Sequence, residues 1–159
     1  MKTLAPLVLL LTACGPFAPE VQESHRYLKA LQPLVVENGH LTEEVLGIAA
    51  QIYNGSDDLE QQAKHWNAQI VPLAEHLHQQ SGNIEVPESW ANDHKDLEGI
   101  WGKRASAYRE LGESLALADR ERWTEARKQA TEVKFAEENW FKNANKRLAT
   151  HNLNVAPTP

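Results

Sequence analysis

Cysteine is almost absent from this chain: Cys14 is the only one in 159 residues. No disulfide can form within the chain, so the fold must be held by packing. Methionine is as scarce, with Met1 alone, which leaves the body of the chain without a thioether ligand. Positive charge is in deficit, since 16 Lys and Arg stand against 22 Asp and Glu. That balance argues against nucleic acid as a partner and against a basic patch for a membrane surface. A spanning helix needs about 20 apolar residues, and the apolar run Leu4–Ala13 is too short. No period-two alternation marks a strand between Val21 and His151. No Ser-His-Asp spacing, glycine-rich phosphate loop or H-E-x-x-H occurs, so no enzymatic activity is expected.

What is present begins with the first sixteen residues, MKTLAPLVLLLTACGP. Lys2 followed by the short apolar run has the layout of a secretory signal. The run ends in Leu11-Thr12-Ala13-Cys14. This tetrapeptide resembles the lipobox of bacterial lipoproteins, with Leu at −3, small residues at −2 and −1, and the invariant Cys. The resemblance implies cleavage before Cys14 and lipidation of its sulfur, a reaction that uses the nucleophilicity of a thiolate. It implies a diacylglyceryl group such as one carrying palmitate, and two or more acyl chains anchor firmly at about 0.8 kcal/mol per buried methylene. The residue after Cys14 is Gly15 rather than the Asp that retains Gram-negative family members at the inner membrane. The expected location is therefore the outer membrane, with the protein facing the periplasm.

Cleavage removes residues 1–13, one of the 16 basic residues and none of the 22 acidic ones. What remains is long enough for one domain with a real core. Residues 14–20 read as a lipidated tether, 21–151 as the domain, and 152–159 (NLNVAPTP) as a flexible tail. Within the domain the apolar residues recur every three or four positions, the helical period. Helix one is expected from about Val21 to Tyr53, ending at Asn54-Gly55. Helix two starts after Ser56-Asp57-Asp58 and runs to about Gln80. Helix three opens at Pro87 and reaches about Ala118. Helix four is capped by Asp119 and reaches about His151.

The fold class expected is all-α: an antiparallel up-down four-helix bundle with kinked first and second helices. Folding helices three and four on each other pairs Ala118 with Trp123, Leu115 with Ala126, Leu111 with Ala130 and Tyr108 with Val133. Next come Arg104 with Glu137, Trp101 with Trp140, and Leu97 with Ala144. Large residues mostly meet small ones, as close packing requires. Helices one and two pair Ile52 with Leu59, Ala49 with Ala63, Val45 with Trp66, Asn38 with Leu73 and Val35 with Leu77. A break in helix one at Asn38-Gly39 is the alternative to a kinked continuous helix. Pro33 and Pro72 are the expected bending points.

Helices three and four are similar in architecture to the soluble four-helix cytochromes. The resemblance stops at the ligands: there is no C-x-x-C-H, and the position of a haem histidine reads Asn139-Trp140-Phe141-Lys142. Glu37-x-x-His40 and Glu75-x-x-His78 have the spacing of di-iron bundles, but they fall outside the apolar seams and read as solvent-facing. No metal ligand set and no cofactor is expected beyond the covalent lipid on Cys14.

Five residues form a candidate ligand site or polar core: His94, Trp101, Arg104, Glu137 and Trp140. His94 faces inward and reads as a neutral core histidine. Arg104 and Glu137 read as an interhelical ion pair that fixes register, or as the polar floor of a pocket beside Trp101 and Trp140. The function expected is a non-enzymatic envelope lipoprotein that binds a protein partner in an assembly, scaffold or pilot-type role. The alternative is a periplasmic bundle that binds a small ligand or a metal, with an enclosed cavity at the Trp101–Trp140 layer.

Overall fold

The computed structural model describes residues 18–53 and 58–155. Cys14 and the lipobox-like tetrapeptide lie outside these residues, as do Ser56, Asp57 and the end of the chain from Ala156. The described residues are helical, with no strand among them. They make four rods: α1 (Pro19–Tyr53), a composite rod of α2 (Leu59–His65), a π-helical turn (Trp66–Ile70) and α3 (Val71–Ser81), then α4 (Ala91–Ala116) and α5 (Arg120–Ala149).

Helix α1 is continuous through Pro33 and across Asn38-Gly39, so the alternative of a break does not occur. Its apolar stripe drives this. Tyr27, Leu31, Leu34, Val35, Leu41 and Ile48 are all buried, at the spacing of a single helical face. Asp58 starts α2, its side chain accepting the Gln61 N–H at 2.9 Å. That satisfies one of the donors a helix N-terminus leaves free.

The composite rod is interrupted because of Pro72. A proline inside a helix has no N–H, and its ring crowds the carbonyl four residues back, here that of Ala68. The chain widens by one residue just before it: the Val71 N–H bonds to the Trp66 carbonyl, a five-residue reach in place of four. This changes which residues face inward. Ala74 is fully buried and Leu73, expected opposite Asn38, is only partly so.

Helix α4 follows a 3₁₀ turn (Glu88–Trp90) that begins after Pro87. Its end is a Schellman motif: the Asp119 N–H bonds to the Ser114 carbonyl at 2.9 Å, and the Ala118 N–H to that of Leu115 at 3.2 Å. The motif needs a left-handed residue, and Ala118 takes that place at φ 52°. Asp119 then caps α5 by accepting the Arg122 N–H at 3.0 Å. Helix α5 ends in the same way, with Asn152 left-handed and the Leu153 N–H bonded to the Leu148 carbonyl.

Helix α4 is packed along α5 on one side and along α2, the π turn and α3 on another, and α1 lies against the composite rod. Contacts between α4 and α5 pair Glu113 with Arg122, Arg104 with Glu137, and Asp93 with Arg147. Between α1 and the composite rod they pair Glu44 with His65 and Glu37 with His76.

Several expected core positions are corrected. Ala49 is exposed and Ile48 is buried in its place. Leu59, expected opposite Ile52, is 46% exposed. Ala118 is exposed in the turn. Phe141 and Leu148, not assigned to the seam, are buried, since the inward stripe of a globular helix is wider than a single line of residues. The stretch read as a tail is described as far as Val155. That residue is 1% exposed, and its N–H donates to Asn145 Oδ1 at 2.8 Å.

Candidate functional site

Two clusters of buried polar groups involve the candidate residues; Asn38, Gln62 and Ser114 are buried apart from them. The first closes the end of the molecule where α1 begins. Here α1 supplies Tyr27 and Ser24, the entry to α4 supplies Trp90, Asp93 and His94, and α5 supplies Trp140 and Arg147. His94 Nε2 donates to the Ser81 carbonyl at 2.8 Å, since a carbonyl can only accept. Nδ1 is then the acceptor, and the Tyr27 hydroxyl donates to it at 3.0 Å. His94 is thus buried with a hydrogen-bond partner at each ring nitrogen. Burial, with the field of the Asp93 carboxylate added, pushes the Tyr27 hydroxyl above its ordinary range and keeps it protonated.

Trp90 is the centrepiece of this end. Its ring stacks on Tyr27 at 4.8 Å between centroids, and the Arg147 guanidinium lies over it at 4.2 Å. Its N–H reaches Ser24 Oγ at 3.2 Å. Arg147 is held in turn by Asp93 at 2.5 Å. Trp140 donates its N–H to the Asp93 carbonyl at 2.6 Å.

The second cluster lies between α4 and α5. Arg104 Nη1 donates to both carboxylate oxygens of Glu137, at 2.9 and 3.0 Å. The Trp101 N–H donates to Glu137 Oε1 at 2.6 Å. Arg104 is 3% exposed, and its Nε and Nη2 are buried without a hydrogen-bond partner. Such an arrangement carries desolvation in full and recovers only part of it. Tyr108, next along α4, has its hydroxyl raised chiefly by burial; the Arg104 charge opposes the shift and the Glu137 charge adds to it.

The structure therefore unites three of the five candidate residues, Trp101, Arg104 and Glu137. His94 and Trp140 belong to the other cluster, where the indole of Trp140 meets the ring of Phe141 at 5.1 Å. The E-x-x-H motifs do not act as units. Glu37 faces His76 at 3.7 Å, and Glu75 pairs with Arg109 across to α4. Among the described residues no group of three or more His, Cys, Asp or Glu is placed to hold a metal ion. None of their helices is long and apolar enough to cross a membrane.

A cleft of about 420 Å³ opens elsewhere, between the C-terminal part of α1 and α2. Its wall includes Glu43, Glu44, Ile48, Asp58, Gln62 and His65. Sequence reading missed Tyr27, Asp93 and this cleft. One signal for the cleft was available: Gln62 and Ala63 are adjacent, and a glutamine beside a seam position is a polar side chain entering the core.

No protein-family model, no curated protein and no solved structure matches this chain. The reading of function rests on its own residues.

Proposed function

We propose that this protein is a non-enzymatic envelope lipoprotein, anchored by Cys14 at the periplasmic face of the outer membrane and binding a protein partner. One observation carries the reading: Leu11-Thr12-Ala13-Cys14 follows a basic residue and a short apolar run, and places the only cysteine of the chain at the anchor position. The four rods are read as an antiparallel up-down bundle, bent in α1 at Pro33 and in the composite rod at Pro72. In support, the residue numbers of contacting pairs fall along α4 as they rise along α5, and the same holds between α1 and the composite rod. The role is that of a scaffold or pilot. Among the described residues the exposed large apolar side chains are Val36 and Leu46 on α1, Leu59 on the composite rod, Leu117 in the α4–α5 turn and Phe135 on α5. That distribution counts against the exposed apolar groove between the helix pairs that partner binding predicts.

The test is native mass spectrometry of protein extracted from membranes of a Gram-negative host in mild detergent. The expected mass is that of residues 14–159 plus acyl chains, with Cys14→Ser released to the soluble fraction or left unprocessed. A membrane-extracted chain that retains residues 1–13 without acyl chains overturns the anchor. A second reading, a bundle that binds a small ligand, is favoured by the two unpartnered nitrogens of Arg104. It expects an additional mass of a few hundred daltons, lost in Trp101→Ala.

A further inference from the structure

A phenol and an imidazole meet in the core with solvent shut out: Tyr27 is 0% exposed and His94 5%. The Tyr27 hydroxyl donates to His94 Nδ1 at 3.0 Å, and the other ring nitrogen is committed to the Ser81 carbonyl at 2.8 Å. The surroundings of the pair set it apart from an ordinary core hydrogen bond. Trp90 stacks on the phenol at 4.8 Å with 20° between the ring planes, and the Arg147 guanidinium lies over Trp90 at 4.2 Å. The Asp93 carboxylate acts on the Tyr27 hydroxyl and also holds Arg147.

These groups decide where an electron can leave this end of the molecule. A phenol that loses an electron becomes a strong acid, and a positive charge kept on a buried ring has no solvent to stabilise it. The proton must therefore leave with the electron, and the base within reach is His94 Nδ1. Prior ionisation is closed as a route, since burial and the Asp93 charge keep the hydroxyl protonated. Loss of an electron from Trp90 instead puts a positive charge against the Arg147 guanidinium, and like charges so close repel. An electron vacancy that reaches this cluster thus settles on Tyr27 rather than on Trp90, with the positive charge displaced to His94, the chain neighbour of Asp93.

We propose that Tyr27 is a redox-active tyrosine with His94 as its proton acceptor. In the step, the Tyr27 O–H bond breaks and an N–H bond forms at His94 Nδ1. One electron passes to a one-electron oxidant outside the protein, such as an oxygen-centred radical, which becomes the corresponding anion. The products are a neutral tyrosyl radical and an imidazolium that still donates from Nε2 to the Ser81 carbonyl. One electron from a thiolate or enediolate donor restores the pair, the proton returning from His94 to the tyrosyl oxygen. Tyr108 is the contrast within the same molecule. Its ring meets Trp66 edge-on at 5.5 Å, but the charged groups acting on its hydroxyl are Arg104 and Glu137, with no imidazole among them. The inference does not depend on the lipoprotein reading, and either can fail alone.

The test is flash oxidation of the purified full chain with photogenerated tris(bipyridine)ruthenium(III), followed by transient absorption and by electron paramagnetic resonance of rapidly frozen samples. A neutral tyrosyl radical is expected, and Tyr27→Phe should remove it. His94→Gln keeps an acceptor for the hydroxyl and a donor for the Ser81 carbonyl but removes the basic nitrogen. It should slow radical formation by about a hundredfold, the lower end for a lost general base. Circular dichroism checks that both variants are folded. The wild-type rate should also fall in deuterium oxide, because the hydroxyl proton moves with the electron, and this reading carries the test if either variant fails to fold. A tyrosyl radical of undiminished yield in Tyr27→Phe, an unchanged rate in His94→Gln, or equal rates in the two solvents overturns the proposal. So does a radical that stays on tryptophan, because that would leave the Tyr27–His94 bond a structural tie only.

Discussion

Gly112 faces the composite rod at close quarters. A Cβ there would lie 2.0 Å from Asn67 Oδ1 and 2.8 Å from Trp66 Cδ1. Asn67 would have to give up its Nδ2–H bond to the Gly112 carbonyl at 3.1 Å, and Trp66 is buried with its N–H tied to the Tyr108 carbonyl at 2.7 Å. Gly112→Ala should therefore destabilise the protein by about 1–3 kcal/mol, read as a lower denaturation midpoint. Gly99→Ala in the same helix meets nothing within 4 Å and should stabilise by up to about 1 kcal/mol. Glu137→Ala strands a buried guanidinium and should cost about 3–5 kcal/mol in chemical denaturation. The double variant Arg104→Met/Glu137→Leu should recover most of that. It should not recover all of it, because the Trp101 N–H still loses its acceptor. Tyr27 sets a pH limit. Its folded hydroxyl keeps its proton where the unfolded chain loses it, at about pH 10. Its contribution is thus whole below about pH 10 and declines above it, as the unfolded state binds fewer protons. Tyr27→Phe should lower stability at neutral pH by about 1–2 kcal/mol, through the unmet Nδ1 of His94, and flatten the alkaline decline seen by pH-dependent melting.

At the level of elements, the stops are the most instructive. The α4–α5 turn has the hydrogen bonds of a glycine-type stop but carries Ala118 at φ 52°. An L-residue with a Cβ pays about 1 kcal/mol or more there, partly offset by the freedom a glycine brings to the unfolded chain. Ala118→Gly should raise the denaturation midpoint by about 0.5–1 kcal/mol equivalent, with no change in the core. Asp119 caps as its place in the sequence suggests, and of the stretch Ser56-Asp57-Asp58 it is Asp58 whose side chain caps α2. The π turn was not plain in the sequence. Pro72 announced a disturbance, but whether a helix bends, breaks or widens depends on what must stay seated on either side. Here Trp66 and Leu77 are both held in the core, and an extra residue in the turn satisfies both.

In the whole molecule α4 is the element on which the others converge. It meets α5 through Arg104 and Glu137, the composite rod through Trp66 and Asn67, and α1 through His94 and Tyr27. Opening it exposes every other rod, so its amides should exchange only through near-global unfolding. Hydrogen-exchange mass spectrometry should find the slowest peptides between Leu97 and Leu111, with the exposed face of α5 and the last turns of α1 faster. Faster exchange in α4 than in α5 would mean that α4 is not the organising element.

The sequence by itself determined that the chain is helical, where most helices start and stop, and that Arg104 meets Glu137. These follow from local periodicity, capping residues and a register that two long neighbouring helices can hardly avoid. Tertiary structure decided the rest. It placed Tyr27 on His94 across 67 positions, docked Val155 where a tail was read, and turned Ile48 rather than Ala49 inward. It also gave the two indole N–H groups different acceptors, Glu137 for Trp101 and the Asp93 carbonyl for Trp140. Such choices depend on which polar atoms are left unmet once the apolar faces close, and that is settled only when all the rods are in place.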